Sequence, residues 1–139
     1  LTAGPSDEWH LVWTLILALR RADLARIGGF DAGFTGYGAE DTDLAFRARG
    51  AGLTLRFSPA EAFHQHHGVM TPPLHHLEDI LVNARRFRQV HGRWAMEGWL
   101  RAFADAGLIA WDPEGERLEL LRHPTEAELT AARRDDAAY

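Results

Sequence analysis

Three carboxylates stand close together in this chain, Glu40, Asp41 and Asp43, directly behind a glycine-rich, aromatic-studded stretch that runs from Gly28 to Ala39. Neighbouring carboxylates repel, so one member of such a group tends to hold its proton nearer to neutral pH, which is what a general base needs. Asp41 or Glu40 is the candidate base. A structural role competes with this reading, because acidic residues in a first helical turn satisfy orphan N–H groups and complement the helix dipole. Asp43 is also spaced to pair with Arg47 at i,i+4. Further along, His64, His66 and His67 form a second cluster, with His64 and His66 on one side of an extended chain and His67 on the other. One or two imidazoles need partner ligands from elsewhere. Carboxylates in that role suit Mn²⁺ or Mg²⁺ better than a structural zinc. The plainer alternative is a polar loop with one histidine hydrogen-bonded in place.

Seven of the 13 glycines lie between Gly28 and Gly52, and glycine serves where φ must be positive or where backbone must come close to a ligand. Tyr37, between Gly36 and Gly38, has few neighbours in sequence to bury its ring and is a candidate for facing a ligand. Phe30 and Phe34 are expected to pin the loop to the core.

The elements that must position these residues follow from patterning. A nearly continuous apolar run, His10 to Leu19, predicts a strand covered on both faces, as in a parallel or mixed sheet. Arg20 to Ile27 reads as one or two helical turns ended by Gly28-Gly29. Glu40 to Arg49 reads as a helix closed by Gly50, with the three carboxylates in its first turn. Leu53, Leu55 and Phe57 alternate as a strand that Pro59 ends, and the histidines follow at its exit. Thr71-Pro72-Pro73 predicts a helix start, and Leu74, Leu77, Leu81, Ala84 and Phe87 form an apolar stripe ending near Gly92. His75 and His76 fall off that stripe and are expected at the surface. A helix from Trp94 to Ala106 comes next. Leu108 to Trp111 and Arg117 to Arg122 flank a turn and predict a β-hairpin. Thr125 and Glu128 form a capping box for a short last helix, after which Arg133 to Tyr139 is expected to fray.

Composition removes several kinds of chemistry. The chain has no cysteine, and all 15 basic residues are arginine, which excludes disulfides, thiolate zinc sites, cysteine nucleophiles and lysine Schiff bases. A formal net charge of −5 with scattered arginines argues against binding nucleic acid through its phosphates. No apolar run approaches a membrane span, so a cytoplasmic or membrane-peripheral location is expected. A start at Leu1 rather than methionine suggests a piece of a larger protein.

The order Arg20-Arg21, Ile27-Gly28-Gly29-Phe30-Asp31, Phe34-Thr35-Gly36-Tyr37-Gly38-Ala39-Glu40-Asp41-Thr42-Asp43-Leu44, then Arg47, Gly52, Pro59 and His64 resembles the C-terminal catalytic portion of family 2 glycosyltransferases. It is also similar to the related galactosyltransferase motif Gly-aromatic-Gly-Gly-Glu-Asp, with Ala39 in place of the second glycine and Tyr37 where tryptophan is frequent. The resemblance implies a bacterial enzyme of α/β fold. Residues 1–70 would form the C-terminal half of a GT-A-like nucleotide-diphospho-sugar transferase fold, and 71–139 an extension of helices and a β-hairpin of the kind found in some actinobacterial members. It implies inverting hexosyl transfer from a nucleotide-diphosphate sugar to an acceptor hydroxyl. Asp41 would act as base and Glu40 would orient the acceptor. Tyr37 would stack on a sugar, with Gly36, Gly38 and Asp43 in the substrate site, and His64 with His66 would contribute to a divalent cation site (Mn²⁺ or Mg²⁺). The nucleotide-binding half, with its Asp-x-Asp motif, would lie outside these residues. This fragment alone would then be inactive, and its uncovered strand edge implies a dimer or swapped assembly. Two rivals are a non-catalytic glycan- or protein-binding module and a metal-dependent hydrolase built on the histidines and carboxylates.

Overall fold

The computed structural model describes residues 2–134 and is a mixed α/β arrangement of five helices and three two-stranded antiparallel ribbons. The first ribbon pairs β1 (Gly4–Ser6) with β2 (Leu55–Phe57), Pro5 opposite Arg56. Between them lie α1 (Arg21–Arg26), the glycine-rich loop and α2 (Glu40–Gly50). α1 stops where Gly28 and Gly29 take positive φ, and the Gly29 N–H donates back to the Leu24 carbonyl at 3.0 Å. The 15-residue α3 (Leu77–His91) is the long element of the molecule. It is followed by α4 (Glu97–Asp105), the hairpin β4–β5 (Ile109–Trp111 with Leu118–Leu120) and α5 (Glu126–Ala132).

The predicted stripe is buried, and Leu74, Leu77, Leu81 and Ala84, joined by Ile80, pack with Leu100 and Phe103 of α4, with Leu108, Ile109 and Leu118 around the hairpin, and with Ala132. A second cluster puts Ala45 and Ala48 of α2 against Trp9 and Val12. A third, Ala39, Phe87 and Ala95 with Phe34, Phe46 and Met96 around them, lies beneath the end of the glycine-rich loop. The capping box at Thr125 forms as its sequence predicts.

Four expectations need correction. His10 to Leu19 is not a strand: a 3-10 turn at Trp9–Leu11 leads into irregular chain, and Trp13, Leu15 and Ile16 are 65%, 66% and 69% exposed. No strand pairs with the run among the described residues, and apart from the buried Val12 most of it lies open. Thr71 does not cap a helix. The Thr71–Pro72 peptide is cis, the Thr71 N–H donates to the Ala132 carbonyl, and a 3-10 turn at Leu74–His76 precedes α3. α4 begins at Glu97 rather than Trp94, because Met96 takes a left-handed conformation at φ 55° and leaves Trp94 and Ala95 as buried linker. Finally, Arg133 and Arg134 do not fray but form β6 (Arg133–Arg134), antiparallel to β3 (Val69–Met70). Residues 135–139 lie outside the described residues.

Candidate active site

The loop from Gly28 to Ala39 is held at three points, and α3 supplies the partner each time. Asp31 sits at its base, with Oδ1 accepting the Gly33 N–H at 2.8 Å and Oδ2 accepting Arg86 Nη2 at 2.6 Å. The Gly33 N–H first, and then the Arg86 guanidinium, hold the Asp31 carboxyl below its ordinary pKa. Arg86 also lies over the Phe34 ring at 5.4 Å, and a Cβ at Gly33 would collide with its guanidinium. Phe30, expected in the core, is instead half exposed, so Phe34 alone of that pair is anchored.

The second point is Asn83, 1% exposed in the middle of α3. Its Oδ1 accepts the Thr35 N–H at 3.2 Å, and its Nδ2 donates to the carbonyls of Thr35 (2.9 Å) and Tyr37 (3.2 Å). One side chain thus holds three backbone groups of the loop, two at Thr35 and one at Tyr37. Gly36 (φ 70°) abuts the Asp79 carboxylate, and Gly38 (φ 100°) abuts Met96. Side chains at either position would meet both a contact and a strained backbone.

Tyr37 has more company than its sequence neighbours suggest. Its ring stacks on His76 at 4.2 Å and 9°, and on Trp99 at 5.7 Å and 28°, while His75 lies 4.0 Å from His76. His75 is exposed as expected, but His76 is half-buried in this ring array rather than at the open surface.

The third point separates the three carboxylates. Asp43 is fully buried: Oδ2 accepts Arg47 Nη2 at 2.6 Å and Nε at 2.9 Å, and Oδ1 is 2.8 Å from His91 Nε2. Arg47 Nη1 continues to the Ile27 carbonyl at 2.6 Å, so Asp43 ties α1, α2 and α3 together and shows no surface to a ligand. Asp41 is half-buried; its Oδ1 accepts the Thr42 N–H at 2.7 Å and its Oδ2 the Thr14 N–H at 3.3 Å. Glu40 keeps one buried carboxylate oxygen, Oε2, without a hydrogen-bond partner.

Two grooves flank these residues. One, of about 550 Å³, runs between Trp13, Thr42, Phe46, Arg93, Met96 and Trp99. Asp41 is not itself one of its walls, but its neighbour Thr42 is, and so is Trp13, which precedes the Thr14 whose N–H Asp41 accepts. The other, of about 430 Å³, lies beneath the ring array and is walled by Tyr37, Met70, Pro73, His75, His76 and Trp99.

His64 and His66 lie on exposed chain without regular structure, where the His64 ring packs against that of His67 at 5.1 Å. Among the described residues no three His, Asp or Glu side chains gather closely enough to hold a metal ion. The donors among the described residues therefore do not make up a complete divalent-cation site.

Residues 2–71 match a family profile described as the N-terminal domain of galactosyltransferase. The chain belongs to this galactosyltransferase family. The description names an N-terminal domain, whereas the motif order of Arg20 to His64 resembles a C-terminal catalytic portion; a sugar-transferring family is common to both. Two relatives, both named validoxylamine A glucosyltransferase, are similar to this galactosyltransferase-family chain. One, from Streptomyces hygroscopicus subsp. jinggangensis (strain 5008), is 32% identical over 91 residues, which is 60% of this chain and 19% of the relative. The other, from Streptomyces hygroscopicus subsp. limoneus, is 32% identical over 91 residues, 60% of this chain and 18% of the relative. The chain thus spans about a fifth of the length of these relatives. No solved structure matches it. In this galactosyltransferase-family chain the matched segment carries the loop, the carboxylates and His64. The residues that prop the loop, Asn83, Arg86 and His91, lie beyond it, as do His76 and Trp99. Asn83 left one trace in sequence, as a polar residue three after Ile80 and four before Phe87 on an otherwise apolar stripe.

Proposed function

We propose that this chain carries the acceptor-activating loop of an inverting glycosyltransferase that moves a hexose from a nucleotide-diphosphate donor to an acceptor hydroxyl. The family description and the relatives' names have a hexosyl group in common, galactosyl in one and glucosyl in the other. The observation that carries the reading is the division among the carboxylates: Asp43 is sealed in the core, whereas Asp41 is half-buried, with its orientation set by two backbone N–H groups. In the proposed step the acceptor oxygen bonds to the anomeric carbon while its proton passes to Asp41. The bond from that carbon to the diphosphate oxygen breaks, with the electron pair leaving on the diphosphate. Glu40 would orient a second acceptor hydroxyl, as the family resemblance implies. Arg93, a wall residue of the larger groove, would face the charged donor. Residues 1–70 would form part of a GT-A-like domain, and 71–139 the extension that braces its loop. A divalent cation, proposed from the family resemblance, would use His64 and His66 only together with donors outside residues 2–134.

Replacing Asp41 by Asn in the full-length transferase is expected to abolish transfer, lowering the rate by about two to four orders of magnitude as loss of a general base does, while donor affinity stays near wild type. The check is steady-state kinetics beside a donor titration. Retained turnover would remove Asp41 from this role.

A further inference from the structure

We propose that His91 is a positioning residue: by tying Asp43 to α3 it fixes the first turn of α2, and with it the direction of Asp41. The proposal rests on the transfer reading for what Asp41 does, but not for what His91 holds. That turn has little to hold it at its own start. Its N-cap is Ala39, which takes a left-handed conformation at φ 71° that a side chain disfavours, and no side-chain hydrogen bond caps the helix. The bond from the Asp43 N–H to the Ala39 carbonyl, at 2.8 Å, therefore begins at a strained residue. Of the groups that hold the Asp41 carboxylate, the Thr42 N–H belongs to the same turn and the Thr14 N–H to the largely exposed apolar run. Neither comes from a second helix.

Asp43 supplies that anchor. Its carboxylate is fully buried and its oxygens divide: Oδ2 takes both Arg47 contacts from within α2, whereas Oδ1 takes Nε2 of His91, the last residue of α3, at 2.8 Å. A carboxylate only accepts, so Nε2 carries the hydrogen of this bond. The imidazole is itself clamped, with the Phe87 ring at 4.4 Å and the Phe46 ring at 5.4 Å, and its side chain is 13% exposed. Each helical residue turns about 100°, so Asp41, two before Asp43, points about 200° away from it. Holding Asp43 in the core thereby directs Asp41 to the far side of the helix. Phe46 and Phe87 also wall the larger groove beside Thr42, whereas His91 does not line it. His91 thus acts through its neighbours rather than on a ligand, and it lies beyond the segment matched by the family profile.

The test compares His91→Phe, which keeps a ring and loses the donor, with His91→Gln, whose amide nitrogen reaches the place of Nε2. Both are assayed in the full-length transferase at a temperature where urea curves show each variant folded. His91→Phe is expected to lower kcat at least about tenfold and to leave the KM for donor within about threefold, because small displacements of a catalytic group are costly. His91→Gln should recover kcat to within about threefold of wild type. In the full 139-residue chain, the Asp43 amide should exchange at least about tenfold faster in His91→Phe than in wild type or His91→Gln. Thr35, held by Asn83, should exchange as before in all of them. If His91→Phe does not fold, His91→Asn, whose amide falls a methylene short of Asp43, takes its place. Wild-type kcat without the donor, a loss that His91→Gln does not restore, or an Asp43 amide that exchanges alike in every variant would overturn the proposal. If the wild-type transferase moves no sugar, the transfer reading alone falls and the amide comparison decides for His91. Fast exchange in His91→Phe beside slow exchange in His91→Gln then upholds it, and uniform exchange overturns it.

Discussion

Asn83 and Asp43 show why residues that never touch a ligand decide what this loop can do. Asn83 is buried and spends its amide on three loop backbone groups. Asn83→Ala leaves the Thr35 N–H and two carbonyls without their partner, which is expected to lower stability by about 2–3 kcal/mol. Urea unfolding measures the loss, and hydrogen exchange should show Thr35 deprotected while the α3 amides keep their protection. Unchanged exchange at Thr35 would mean that the loop holds itself. Asp43→Asn keeps the shape but strips the charge that faces Arg47 and His91, and is expected to cost about 3 kcal/mol. Asp41→Asn, at a half-exposed position, should stay within about 0.5 kcal/mol of wild type. Two aspartates two residues apart would then separate by readout, one in stability and one in turnover. Sequence showed the carboxylate cluster and the Asp43–Arg47 spacing. It did not show that His91, 48 residues on, would complete the burial of Asp43, because long-range polar partners leave no periodic trace.

The short last helix, α5, is stapled by a single carboxylate. Glu128 accepts from the Thr125 N–H at 2.8 Å and from Arg122 Nη2 and Nη1 at 2.8 and 2.9 Å. The Arg122 guanidinium first, and then the Thr125 backbone and hydroxyl, draw its pKa from 4.5 down to about 2. A carboxylate whose folded pKa is depressed contributes stability above its unfolded pKa and loses it as pH falls through the folded value. This contribution is therefore complete above about pH 4.5 and disappears toward about pH 2. Urea midpoints across that window should fall less steeply for Glu128→Gln than for wild type; parallel curves would show that the pair contributes nothing. This capping box was legible because its chemistry lies within four residues, as was the α3 stripe, whose period is set by the helix itself. The strand expected over His10 to Leu19 does not form, for the converse reason. Unbroken apolar composition says that a segment avoids water, but not which neighbours cover it, and among the described residues no strand pairs with it.

For the molecule as a whole, that run is the largest departure from ordinary packing. Trp13, Leu15, Ile16 and Leu17 stand out in succession, on a chain that spans about a fifth of its relatives' length. A contact with other protein is the expectation such a contiguous exposed apolar surface raises. The isolated chain is accordingly expected to self-associate as its concentration rises, which sedimentation velocity measures directly. Ile16→Glu places a charge at the most exposed point of the run. It should weaken association about tenfold or more while changing unfolding stability by no more than about 0.5 kcal/mol, because the side chain it replaces is not part of the core. A wild-type chain that stays monomeric at high concentration would show that the run is tolerated in water. A variant that associates as before would move the contact elsewhere, and the half-exposed Phe30 on the neighbouring loop is then the next apolar surface to substitute.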